Sequence, residues 1–151
     1  MKASVYDEID QILAPLDENP KVQSMRNYVQ HGSVSTYTHC RRVARKALAI
    51  KRFFRLHIDE KTLLYGAFLH DFYLYDWHQK GDGSHKWHGF HHADVAAKNA
   101  MDVFQIDKEV ESIIRSHMFP LNLTKWPKSK AAWVVSLADK IISIKETIFR
   151  C

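Results

Sequence analysis

Cysteine is almost missing from this chain: Cys40 and the terminal Cys151 are the only two. A disulfide scaffold is thereby excluded, and a reducing compartment fits. Glycine and proline are nearly as scarce, at 5 and 4 residues, which argues against a loop-dominated or low-complexity chain and leaves room for long helices. No apolar run reaches the length of a membrane span, and Met1 to Glu8 lacks the apolar core of a secretory signal. A cytoplasmic address and no membrane partner are therefore expected. A basic block is missing too. The net charge is +5, but the bases are spread along the chain, so a weak preference for small anions is expected and nucleic acid is not an expected partner.

Histidine is what the chain has in excess. Seven of its ten lie between His57 and His92, a local concentration that calls for a chemical reason. With 151 residues the chain is long enough to bury a core as one domain, residues 1–151, without covalent staples.

The apolar spacing is helical nearly throughout. Residues 3–14 predict a first helix that Pro15 stops, and residues 21–31 a second that Gly32-Ser33 breaks. This amphipathic N-terminal part could pack on its own bundle or on a partner, which leaves the oligomeric state open. Ser33 or Ser35 can cap a third helix running to about Phe54, with His39, Val43, Ala47, Ile50 and Phe54 on one face. Asp59 begins the run Leu63-Leu64-Tyr65-Gly66-Ala67-Phe68-Leu69-His70-Asp71. Periodicity then lapses from Phe72 to Phe90, a loop long enough to be functional. Helices resume over 91–105, from Asp107 to His117, and over 130–149. Nothing alternates with the period of a strand for long, so the fold class is an all-α, single-domain helical bundle.

Several of these helices carry ligand-type side chains on faces that must point inward: His39, the pair His70-Asp71, His117 and Asp139, with His92 on a fifth segment. An imidazole or carboxylate taken into an apolar interior needs a partner, and a divalent cation compensates neighbouring nitrogen and oxygen donors. Asp139, in the middle of the apolar run Ala131 to Ile148, demands one most strongly.

This ordered set resembles the HD-domain superfamily of metal-dependent phosphohydrolases, over about residues 31–145. The resemblance rests on His39 in Tyr37-Thr38-His39-Cys40-Arg41-Arg42-Val43-Ala44, His70-Asp71 in Ala67-Phe68-Leu69-His70-Asp71, and Asp139 in Ser136-Leu137-Ala138-Asp139-Lys140. Residues 1–30 would pack on that core as N-terminal helices. His92-Ala93-Asp94-Val95-Ala96-Ala97 and Ile113-Ile114-Arg115-Ser116-His117 are similar to the third and fourth motifs of the two-metal branches. His88 competes with His92 because it stands four residues earlier on the same helical face; the following Val95-Ala96-Ala97 favours His92.

The resemblance implies that His39, His70, Asp71 and Asp139 hold one divalent metal, and that Asp71 bridges to a second held by His92 and His117. Manganese, iron, zinc, nickel and cobalt all suit such donors. Two cations about 3.5–4 Å apart can share a water, lower its pKa and present hydroxide to a phosphoryl group. Asp71, Asp76 and Lys140 are the candidate catalytic residues, Asp76 as a leaving-group acid or water ligand and Lys140 as a phosphate contact. Arg42, Lys46, Lys86 and Lys145 could add positive charge near the mouth, while Trp77, His85, Lys86 and Trp87 could cover a ring. Cys40 points about 100° away from His39 on its helix and belongs to the core. The expected function is hydrolysis of a small phosphate ester, a nucleotide or related metabolite. Two alternatives stand beside it: a metal-stabilised binding or sensory module without turnover, and a di-iron oxygenase-type enzyme.

Overall fold

The computed structural model describes residues 3–75 and 88–149, with only the backbone described for 88–90. Among the described residues it contains α1 (Val5–Asp17), α2 (Pro20–Gln23), a 3-10 turn (Ser24–Asn27), strands β1 (Val29–His31) and β2 (Val34–Ser35), α3 (Thr36–Phe53), α4 (Glu60–Leu69), α5 (His88–Phe104), α6 (Lys108–Ser116) and α7 (Lys130–Phe149). The all-α expectation holds, with one small antiparallel hairpin added. No described helix is long and apolar enough to cross a membrane.

Local chemistry sets the helix starts. Ser4 and Asp7 form a capping box on α1, Ser35 caps α3 through the Thr38 amide, Asp59 caps α4 and Asp107 caps α6. Two expectations fail near the N-terminus. Pro15 does not stop α1, which runs on to Asp17. In the last turn a proline forfeits a single backbone bond, and buried Leu13 and Leu16 hold that turn against the core. The helix expected over 21–31 is replaced by α2, the 3-10 turn and β1. Gly32 adopts a positive φ of 57°, which turns the chain back so that β2 pairs with β1.

The core is shared by α1, α3, α4, α6 and α7. Leu13, Met25, Leu48, Leu63, Phe68, Phe72 and Ile113 are fully buried in it. α4 lies at the centre, packed against α1, α3, α6 and α7, so α1 seats on its own bundle. Gly66 permits the approach of α6 to α4. A Cβ there would lie 2.5 Å from Ile113 Cγ2 of α6. That contact draws together the ends of α4 and α6, where His70 and His117 stand.

Candidate metal centre

Five elements deliver buried donors to one point. His39 lies on α3, His70 caps the end of α4 with Asp71 directly after it, His92 lies on α5, His117 caps the end of α6, and Asp139 lies on α7. All six are buried. Asp71 divides its two oxygens between two donor sets. Its Oδ2 is 3.5 Å from His39 Nε2 and 3.2 Å from His70 Nε2. Asp139 Oδ1 completes that side at 3.0 Å from His39 Nε2 and 3.3 Å from His70 Nε2. Asp71 Oδ1 faces His92 Nε2 at 3.2 Å and His117 Nε2 at 3.4 Å, and those two nitrogens are 2.9 Å apart. Either set could hold a metal ion.

Ring orientation fits that use. His70 Nδ1–H donates to the Ala67 carbonyl at 2.6 Å and His117 Nδ1–H to the Ile114 carbonyl at 2.7 Å. In the neutral form each ring therefore presents Nε2 inward as a lone pair. His70 Nε2 and Asp71 Oδ1 are fully buried and have no hydrogen-bond partner. Orphaned donor atoms of this kind cost about 1–3 kcal/mol each, and a divalent cation between them removes that cost. The nitrogen and carboxylate donor set matches the borderline first-row metals.

The HD domain family model matches residues 36–143. This chain belongs to the HD-domain superfamily of metal-dependent phosphohydrolases. No curated protein and no solved structure matches it.

Within this HD domain the structure shows supports that the sequence reading did not name. His39 Nδ1–H donates to Glu146 Oε1 at 2.6 Å, and Arg42 holds the other oxygen of Glu146 at 3.1 Å. Glu146 is buried two helical turns beyond Asp139, so a second carboxylate on the inner face of α7 was the available signal. Gln30 donates its amide to Asp71 Oδ2 at 2.8 Å. The Gln30 carbonyl in turn accepts from Tyr73 Oη at 2.5 Å and Thr36 Oγ1 at 3.2 Å. Gln30 points inward because alternate residues of β1 face opposite sides, and that signal disappears when the segment is read as a helix. His31 stands beside the centre, its ring centroid 5.4 Å from that of His39, and forms a third potential donor group with His39 and Glu146.

The remaining predicted residues are placed as follows. Lys140 directs its ammonium to the His117 carbonyl at 3.0 Å and Ser136 Oγ at 3.0 Å, so it clamps the end of α6. Cys40 is buried, with Sγ 3.9 Å from His70 Nδ1. His88 opens α5, but its side chain lies outside the described residues, as do Asp76, Trp77, His85, Lys86 and Trp87. Arg42, Lys46 and Lys145 line a separate groove.

Proton affinities in the cluster follow from burial set against opposite charge. Burial opposes a charge on His39, but hydrogen bonds to Asp139 and Glu146 overcome it and raise the pKa to about 10. Burial also opposes a charged His70, yet Asp71 and Asp139 push its pKa well above the ordinary value. Burial would raise Asp71 and Asp139, but the adjacent His70 holds both well below the usual carboxylate range. Burial lowers His117 and suits it to act as a neutral donor. Protons on His39 and His70 thus balance the carboxylates, and a cation would displace them.

Proposed function

We propose that this HD domain is a cytoplasmic phosphohydrolase that uses one or two divalent metals to cleave a small phosphate ester such as a nucleotide or related metabolite. The observation that carries this reading is Asp71, whose two oxygens face two separate sets of buried donors. Divalent cations held there would polarise phosphoryl oxygens and lower the pKa of a water. The chain's own residues supply position. Backbone carbonyls fix the tautomers of His70 and His117, Glu146 fixes His39, and Gln30 fixes the rotation of Asp71. Three buried carboxylates, Asp71, Asp139 and Glu146, carry fewer charges than two dications, so a filled centre attracts an anion. On this reading Lys140 acts by holding His117, and Asp76 stands next in the chain beyond Asp71 as the candidate acid.

The test is anaerobic purification, loading with manganese, iron, zinc, nickel or cobalt in turn, and assay against a panel of phosphate esters that includes nucleotides. Release of phosphate without oxygen, abolished in Asp71→Asn together with metal binding, is the expected result. Turnover that requires oxygen would assign the di-iron reading instead. Tight metal with every phosphate ester left intact would assign a binding module.

A further inference from the structure

A second feature lies along the more exposed face of α3. The start of α1, the middle of α3 and the later part of α7 enclose an open groove of about 560 Å³. Arg42, Arg45, Lys46 and Lys145 supply its charge, and Tyr6 and Ile142 supply aromatic and apolar surface. None of the six residues of the metal centre lines it.

Charge pairing along α3 makes the groove distinctive. Arg41 pairs with Asp10, Lys51 with Glu60, and Arg52 with Glu8 and Glu60. Arg42 pairs with Glu146, which His39 also engages. Among the described residues, Arg45 and Lys46 pair with no carboxylate, and neither does Lys145 facing them from α7. Arg45 lies with its guanidinium carbon 5.2 Å from the Tyr6 ring centroid. Its Nε is buried and has no hydrogen-bond partner. A buried guanidinium N–H without an acceptor is costly, and like charges gathered in one concave site repel one another. Both costs fall when an anion enters.

We propose that this groove is a binding site for a phosphate-bearing small molecule of about nucleotide size, distinct from the metal centre. Phosphate oxygens would accept from Arg45, Lys46 and Lys145, since guanidinium and ammonium groups are the side chains that pair with phosphate most strongly. A volume of about 560 Å³ falls within the range of small-molecule sites and exceeds what inorganic phosphate alone would fill. Tyr6 and Ile142 provide a surface for the ligand's ring.

The test uses the full chain loaded with zinc and amide NMR spectra recorded at 0.15 M sodium chloride. The probes are methylenediphosphonate, which carries charge alone, and adenosine 5′-(α,β-methylene)diphosphate, which adds a base and resists hydrolysis. Saturable shifts of Tyr6, Lys46 and Ala49 are expected, tighter for the nucleoside probe. They should weaken at least tenfold in Arg45→Gln/Lys46→Gln and in the charge reversal Lys46→Glu/Lys145→Glu. Shifts in the groove that are linear with concentration, shifts confined to the surroundings of His39 and Asp71, or affinity in both variants unchanged from that of the unsubstituted chain would each overturn the proposal. The readout is independent of turnover, so a protein that hydrolyses nothing can still pass, and an active phosphohydrolase can still fail.

Discussion

Replacing Gln30 by methionine tests whether the hairpin positions the Asp71 carboxylate. The side chain keeps its length but loses the amide that donates to Asp71 Oδ2 at 2.8 Å. A hydrogen bond to a charged acceptor is worth about 1.5–3 kcal/mol. Tyr73 loses its acceptor at 2.5 Å but keeps Thr36 Oγ1 within 3.5 Å, so a second full penalty is not incurred. The expected loss in metal affinity is about 10–100-fold, or roughly 1.4–2.8 kcal/mol, in line with the hydrogen bond removed.

Competition between the protein and a chromogenic chelator for zinc or manganese measures that loss, with circular dichroism confirming that the helices remain. Tyr73→Phe should weaken metal binding less than Gln30→Met, because Thr36 still holds the Gln30 carbonyl. The double variant should lose less than the sum of the two single losses, because Tyr73 and Gln30 share one hydrogen-bond chain to Asp71. Gln30→Glu changes the sign: a carboxylate beside Asp71 repels it in the metal-free protein and tightens metal binding. Unchanged affinity in Gln30→Met, or additive losses in the double variant, would refute the positioning role.

Gly66→Ala gains about 1 kcal/mol of helix propensity but forces a Cβ against Ile113 Cγ2 at 2.5 Å, an overlap that costs about 1–3 kcal/mol. A lower melting temperature is the expected outcome of thermal unfolding, with the loss in Gly66→Ala/Ile113→Ala smaller than the sum of the two single losses, and a higher one would show that α4 and α6 separate freely. Glu146→Gln leaves His39 Nδ1 with a weaker acceptor and should lower metal affinity about 10–100-fold, which the same competition assay reads. The pH dependence of the metal-free and metal-bound forms should run in opposite directions. His39 is raised from 6.5 to about 10, so the stability that its charge contributes without metal is complete below about pH 6.5 and is lost as pH rises through about 10. Asp71 and Asp139, held low, contribute above their ordinary 3.8 and lose that contribution as pH falls through their depressed values. Metal must displace the His39 proton, so metal affinity measured between pH 6.5 and 9 should climb; a flat profile would remove this account.

The helices were legible because their signals are local. Ser35, Asp59 and Asp107 announce the starts of α3, α4 and α6, and the apolar stripes fix which faces turn inward. His39, His70, Asp71, His92, His117 and Asp139 could be picked out because each interrupts such a stripe. The hairpin was not legible. Val29-Gln30-His31 is too short for alternation to separate it from a helix, and its strand form depends on Gly32 and on pairing with β2. Gln30 was missed for that reason. Glu146 was missed because a glutamate near the end of a helix is ordinarily solvated, and only the tertiary approach of α3 buries it against His39.

On the proposed reading, the ends of two helices explain why the centre would require cations before taking an anion. His70 and His117 are C-cap residues of α4 and α6, so both helices turn their negative dipole ends towards the site. Asp71, Asp139 and Glu146 add three buried carboxylates. A phosphate ester entering without metal meets that field offset only in part, by Arg42 on Glu146, by Lys140 on the His117 carbonyl, and by His39 and His70 when protonated. The groove on α3 has the opposite character, with cations and no unpaired carboxylate among its lining residues. Chelation should therefore abolish binding of phosphate esters at the centre while the groove still binds the probe, since its cations Arg45, Lys46 and Lys145 belong to the chain and stay in place without metal. NMR titration of the zinc-loaded and chelator-treated protein with the same nucleoside probe separates the two. Persistent shifts around Asp71 after chelation would mean that the carboxylates and helix ends do not repel the ligand, and the case for cations as its receptor would fail.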